Sequence, residues 1–225
     1  MINEIFPHRF NNQFFEINGI GEDDYILYYN KNTLLLKTNG EELEIPRKKD
    51  ILGLPSTGEK TFLFTLNDMS CFLIWDCPKT DNTQFIYKET SSFRTFKQQE
   101  IAWVGIVGFQ LMSWYSQNRF CGKCGAKTKE KSDERAIVCP SCSTIVFPKI
   151  SPAIIVAIVC NDKILLAHNS SFANSRYSLI AGYADIGESL EETVIREVKE
   201  EVGLNVKNIR YSLVSDYKSN NFNWL

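Results

Sequence analysis

The sequence predicts an α+β protein in three successive parts, on three observations. Short strand-like runs broken by Asn-, Gly- and Asp-bearing turns fill the first 98 or so residues. Two C-x2-C pairs occupy the middle of the chain, and a capped amphipathic helix dense in glutamate lies near its end. A length of 225 residues suits one or two domains plus a small module, and 44% hydrophobic with 12% aromatic residues suffices for a core. The net charge of −2 exerts no global pull on nucleic acid or membranes. No apolar run approaches the roughly 20 residues that span a bilayer, so a soluble, cytoplasmic chain is expected.

Residues 1–98 form the predicted β-rich domain. Its strands are placed at Tyr25–Tyr29, Thr33–Leu36, Thr61–Leu66, Cys71–Trp75 and Phe85–Tyr87, with hairpin loops at Asn30–Asn32 and Asn67–Ser70. From Phe96 to Ser116 the spacing turns helical, with Ile101, Val104, Val107, Leu111 and Tyr115 on one stripe, giving a connecting helix within 99–119. Beyond it, residues 153–160 read as a buried strand, 161–163 as a turn and 164–167 as its hairpin mate. Residues 169–176 read as a polar loop, and 205–214 as one more strand.

Cys121-x2-Cys124 and Cys139-x2-Cys142 are separated by fourteen residues. Four thiolates at this spacing make a closed tetrahedral site for Zn2+, whose full shell leaves no open position for catalysis. Disulfides are the competing possibility, disfavoured because nothing at the N-terminus resembles a secretory signal. Cys71, Cys77 and Cys160 are left over, and Cys160 reads as an inert core residue of an apolar strand.

Ser189 and Glu192 form an S-x-x-E capping box, so a helix should begin at Leu190 and end at Gly203. Leu190, Val194 and Val198, widened by Ile195 and Val202, make its core-facing side. Glu197, Glu200 and Glu201 share a helical face by i, i+3 and i+4 spacing. From Glu188 to Glu201 six acids stand against two bases, a formal charge of −4 on fourteen residues. Such a face is tolerable beside cations, and hard carboxylate oxygens suit Mg2+ or Mn2+. A diphosphate substrate needs such ions to screen its charge and activate water.

Gly182, Glu188, Arg196, Glu197, Glu200, Glu201 and Gly203 fill without a gap the G-x5-E-x7-R-E-U-x-E-E-x-G-U pattern (U, a bulky aliphatic), so the chain resembles the Nudix hydrolases. The run Trp114–Gly122, the cysteine pairs and Phe147–Pro152 narrow the resemblance to the NADH pyrophosphatase branch. The resemblance implies an N-terminal domain (1–98), connecting helix (99–119), zinc ribbon (120–147) and Nudix domain (148–225), the last an α/β/α sandwich on a mixed sheet. It implies a homodimer that splits NAD(H) into nicotinamide mononucleotide and AMP, and in some members removes NAD caps from RNA 5′ ends. By motif slot, Glu197, Glu200 and Glu201 would bind the catalytic Mg2+ or Mn2+, Glu200 would serve as base and Arg196 would orient the cluster. Glu134, Phe147 (usually Tyr in the family) and Ala181 fall at substrate-contacting positions.

The family's S-Q-P-W-P-F-P-x-S segment, which marks nicotinamide dinucleotide preference, is absent before Leu225, as are the expected last strands and a further metal-binding glutamate. A truncated, incomplete Nudix domain with weak or no turnover is therefore the expectation. The alternatives are a hydrolase of another nucleoside diphosphate derivative, or an inactive remnant that only binds nucleotide or dimerises.

Overall fold

Residues 4–15, 17, 19–51, 60–76, 84–168 and 177–211 are described by the computed structural model. The chain divides into two units, Met1–Pro148 and Lys149–Leu225. Cys77, the polar segment 169–176 and everything from residue 212 onward lie outside the described residues.

The apolar runs of the first unit pair into two four-stranded sheets. In one, Phe10–Asn11, Lys60–Leu66, Met69–Ile74 and Tyr25–Leu27 lie in that order; the last pair is parallel and the others antiparallel. In the other, Thr33–Asn39 pairs antiparallel with Phe85–Glu89 on one side, and with Tyr29–Asn30 and Glu42–Glu44 on the opposite side. The hairpin between Lys60–Leu66 and Met69–Ile74 turns on Asn67 and Asp68, with φ of 51° and 64°. Two successive left-handed residues match the twist of the flanking strands, and Asn and Asp tolerate that conformation best among residues with a side chain.

Helix α1 (Gln99–Gln117) closes this core with Ile101, Ala102, Val104, Leu111, Trp114 and Tyr115 buried. Two glycines let it approach closely. A Cβ on Gly105 would lie 2.6 Å from the Phe93 ring, and one on Gly108 would lie 2.5 Å from the Tyr29 hydroxyl. That hydroxyl donates to the Gly105 carbonyl at 2.8 Å, a buried bond that fixes helix against sheet. Val107, expected on the buried stripe, is only partly covered.

The ribbon adds a three-stranded antiparallel sheet in the order Ile145–Val146, Ile137–Val138, Lys129–Glu130. Ile137 joins the main core cluster, so the ribbon is packed onto the β-rich part. Polar fasteners reinforce the seam: Thr61 Oγ1 donates to Glu130 Oε1 at 2.6 Å, and Arg135 bonds Asn12 Oδ1 and the Leu63 carbonyl.

In the second unit Ala153–Val156 pairs antiparallel with Ile180–Tyr183, beside two short ladders, Val159–Cys160 with Lys163–Ile164 and Ala167–His168 with Tyr177–Ser178. Helix α2 (Leu190–Val202) lays Val194 and Val198 on Ile154 and Ile180. Four expectations from the sequence differ from the structure. The strand read over 153–160 is interrupted after Val156, and Cys160 is exposed, a hairpin-edge residue instead of a core one. Ile195 is 48% exposed, whereas Thr193 is fully buried in its place, because its hydroxyl finds partners at the helix start. Residues 205–211, read as the start of a strand, form none; Val206 and Ile209 pack against the α2 core from irregular backbone.

Candidate functional site

Helix α2 starts where the sequence places it. Ser189 is the N-cap, its hydroxyl accepting from the Glu192 N–H while the Glu192 carboxylate accepts from the Ser189 N–H at 2.8 Å. Gly203 ends the helix in the left-handed region at φ 72°. This short, capped cylinder sets the spacing of every glutamate in the cluster.

Arg196 is the hub. Its Nε donates to Glu188 Oε1 at 2.6 Å; one terminal nitrogen reaches Glu197 Oε1 at 2.8 Å and Glu200 Oε2 at 3.2 Å. The other reaches Glu188 Oε2 at 2.9 Å and the Tyr183 carbonyl at 3.0 Å. All five donors of the planar guanidinium fork are used, which a lysine ammonium with three donors does not reproduce. The guanidinium in turn is held well above its ordinary value by Glu188 first and then Glu197.

Glu188 is the most heavily bonded acid of the cluster. Besides the bidentate Arg196 pair it accepts from the Asp185 N–H and the Thr193 hydroxyl, each at 3.1 Å. Those donors, Arg196 foremost, depress its carboxyl to about 2. Glu188 thereby ties the loop before α2 to the helix. Thr193 and the Tyr183 carbonyl were missed in the sequence; a small hydroxyl four residues after an N-cap was the available clue to the former, while a backbone acceptor leaves none.

Gly182, inside the strand Ile180–Tyr183, leaves room for Glu197. A Cβ there would lie 2.0 Å from the Glu197 carboxyl carbon, so the acid, only 14% exposed, occupies space that a side chain on residue 182 would claim. Glu200 is 59% exposed on the next turn, and Glu201 is exposed beside it. Arg196 leaves Oε2 of Glu197 and Oε1 of Glu200 outside its hydrogen bonds. Glu197, Glu200 and Glu201 do not converge into a group of ligand atoms within 4.8 Å of one another, as the cysteines do. The donor set, hard carboxylates with free oxygens on one helical face, nevertheless fits a divalent cation.

The four cysteines are drawn together. Their sulfurs all lie within 4.8 Å of one another, with Cys121 to Cys142 at 3.6 Å and Cys124 to Cys139 at 3.4 Å. Tetrahedral ligands at a Zn–S distance of about 2.3 Å would be about 3.8 Å apart, so little movement is needed. Each pair is a tight knuckle followed by a left-handed residue, Gly125 at φ 75° and Ser143 at φ 57°. Donors stabilise thiolate at two positions: the Thr144 hydroxyl and N–H bring Cys142 down to about 6, and the Lys123 and Cys124 N–H groups lower Cys121. Cys124 instead rises to about 11, the Ala126 N–H being outweighed by the Cys139 and Cys142 sulfurs. The set is a structural zinc site.

The remaining sequence candidates are placed as follows. Glu134 pairs with Lys131 Nζ at 3.1 Å beside the ribbon sheet, and Phe147 is half exposed at the ribbon's end. Ala181 lies in the strand before Gly182, opposite Ile155.

Comparison with known families accounts for most of the chain. The Nudix domain model matches residues 149–224. The NADH pyrophosphatase zinc ribbon model matches residues 116–147, and the NADH pyrophosphatase-like rudimentary Nudix domain model matches 23–114. The three matches together resemble the domain make-up of the NADH pyrophosphatase type, the β-rich part being similar to a rudimentary Nudix domain.

Among curated relatives, the chain is 44% identical over 102 residues to the NAD-capped RNA hydrolase NudC of Stutzerimonas stutzeri (strain A1501), covering 45% of this chain and 37% of that one. It is 44% identical over 108 residues to the protein of the same name from Pseudomonas fluorescens (strain Pf0-1), covering 47% and 39%. With that of Enterobacter sp. (strain 638) it shares 44% over 104 residues, covering 46% and 40%. The match thus spans about two fifths of these relatives' length.

Proposed function

We propose that the chain hydrolyses the pyrophosphate bond of NAD(H), giving nicotinamide mononucleotide and AMP, and acts likewise on NAD-capped RNA 5′ ends. The observation that carries this is the Arg196 hub, which holds Glu188, Glu197 and Glu200 in one cluster at the end of a complete Nudix motif. Relatives named NAD-capped RNA hydrolase and the zinc ribbon of the NADH pyrophosphatase type support the choice of substrate.

Glu197, Glu200 and Glu201 would hold Mg2+ or Mn2+, which supplies charge screening for the diphosphate and lowers the pKa of a bound water. Gly182 seats Glu197, and Arg196 keeps the carboxylates from repelling one another apart. Glu200, the most exposed of the three acids bonded to Arg196, would accept the proton of the attacking water. Water oxygen bonds to one phosphorus, the bridging P–O bond breaks, and each product leaves with a phosphate monoester. Glu134, Phe147 and Ala181 would contact the dinucleotide, with Phe147 offering a ring face for stacking. A homodimer and a cytoplasmic setting complete the proposal; among the described residues no helix is long and apolar enough to cross a membrane.

The test incubates the chain with NADH, with ADP-ribose and with NAD-capped RNA in Mn2+ or Mg2+ and follows AMP or cap release. AMP from NADH is expected. Activity confined to ADP-ribose would replace the dinucleotide assignment with another nucleoside diphosphate. Glu201→Gln should reduce turnover at least about a hundredfold, the scale of a lost catalytic group, and an unchanged rate would remove Glu201 from the metal site.

A further inference from the structure

A cavity of about 350 Å3 opens in the first unit, where the ribbon sheet meets the end of the strand Lys60–Leu66 and the C-terminal end of α1. Among the described residues, Lys60, Arg119, Lys127 and Lys129 line it, together with the acid Glu130. The described lining therefore carries a formal charge of +3, on a chain whose net charge is −2. Fields follow local charge inside a concave, low-dielectric wall, so the chain's overall acidity does not cancel this patch.

The cavity also carries an aromatic platform. The Arg119 guanidinium lies 5.1 Å from the centre of the Trp75 ring. Trp75 Nε1 donates to Thr61 Oγ1 at 3.3 Å, and Thr61 donates to Glu130 Oε1 at 2.6 Å. This relay fixes the indole and occupies an oxygen of Glu130. Tyr115, buried beneath, adds a second ring to the lining.

A guanidinium held over an aromatic ring, edged by lysines, meets the two requirements of a nucleotide unit: a π-face to stack on and cations for the adjoining phosphates. The volume sits at the low end of the roughly 300–1,000 Å3 typical of ligand sites, room for about one nucleotide. We propose that this cavity binds single-stranded nucleic acid, one base stacking at Arg119 and Trp75 and the flanking phosphates lying against Lys60, Lys127 and Lys129. The strand's identity as RNA rests on the capped-RNA proposal above; the binding does not.

The probe is a 3′-fluorescein hexauridylate with a 5′-hydroxyl, which carries no pyrophosphate and so offers nothing to hydrolyse. Its anisotropy is titrated with the full chain, without divalent metal, across a series of salt concentrations. Binding should weaken with salt at a log–log slope of roughly −2, as for about three phosphate contacts on a single strand. Arg119→Ala with Lys127→Ala should weaken it at least tenfold, and so should Lys60→Ala with Lys129→Ala, with melting and NADH turnover unchanged. Trp75→Phe, which keeps a ring, should retain most of the affinity.

Equal affinity in both double variants, equal binding of a duplex, or competition by AMP or inorganic phosphate as strong as by unlabelled hexamer would each overturn the proposal. A chain that cleaves NADH yet ignores the hexamer removes this site alone. A chain that binds the hexamer and cleaves nothing leaves this site standing and removes the hydrolase assignment.

Discussion

Gly182 shows how one missing carbon shapes the cluster. Because a Cβ would sit 2.0 Å from the Glu197 carboxyl carbon, Gly182→Ala must push that acid aside. A displacement of about 1 Å in a catalytic arrangement costs on the order of a hundredfold, so AMP release from NADH should fall by about that factor while circular dichroism is unchanged. Glu188 offers a test by pH. Its carboxyl lies near 2 in the fold against an ordinary value of 4.5, chiefly through Arg196. A depressed carboxylate stabilises the fold fully above its unfolded value, and that contribution disappears as pH falls through the folded one. Glu188→Gln should therefore be less stable than the parent at neutral pH, and the gap should close between about pH 4.5 and pH 2 in denaturant titrations.

At the scale of elements, the capping box makes a local prediction. Ser189→Ala removes the hydroxyl that accepts from Glu192, and should lower the stability of the second unit by about 1 kcal/mol in urea unfolding. This helix was the most legible part of the sequence. Its N-cap, its terminal glycine and the i, i+3, i+4 face of glutamates all depend on near neighbours in the chain. The hairpin at Asn67–Asp68 and both cysteine knuckles were readable for the same reason. What escaped were features made by distant partners. Cys160 looked apolar in sequence but lies on a hairpin edge, and Ile195 looked like core while Thr193 took the buried place through its bonds to Glu188 and the Ser189 carbonyl. The Arg119–Trp75 cavity draws on five separate stretches between residues 60 and 137, and no periodicity links them.

Across the whole molecule, the comparison between the two units is one of reserves. The first unit buries Leu27, Leu34, Leu36, Leu63, Phe64, Leu73 and Phe93 in one cluster and adds four thiolates to hold its ribbon. Among the described residues, the second has Ile154, Ile180, Val194 and Val198 as its buried apolar cluster. Differential scanning calorimetry should consequently resolve two heat-absorption peaks, the cooler one belonging to residues 149–225. A strong zinc chelator should move the hotter peak and leave the cooler one where it was; a single peak that shifts as a whole would show the two units to unfold together. The seam between Thr61 and Glu130 then acquires a meaning beyond packing. Stripping the metal would slacken the ribbon strand bearing Lys129 and Glu130, and through it the indole orientation at Trp75, so the redox and metal status of four sulfurs would be legible in the emission of a tryptophan some distance along the chain.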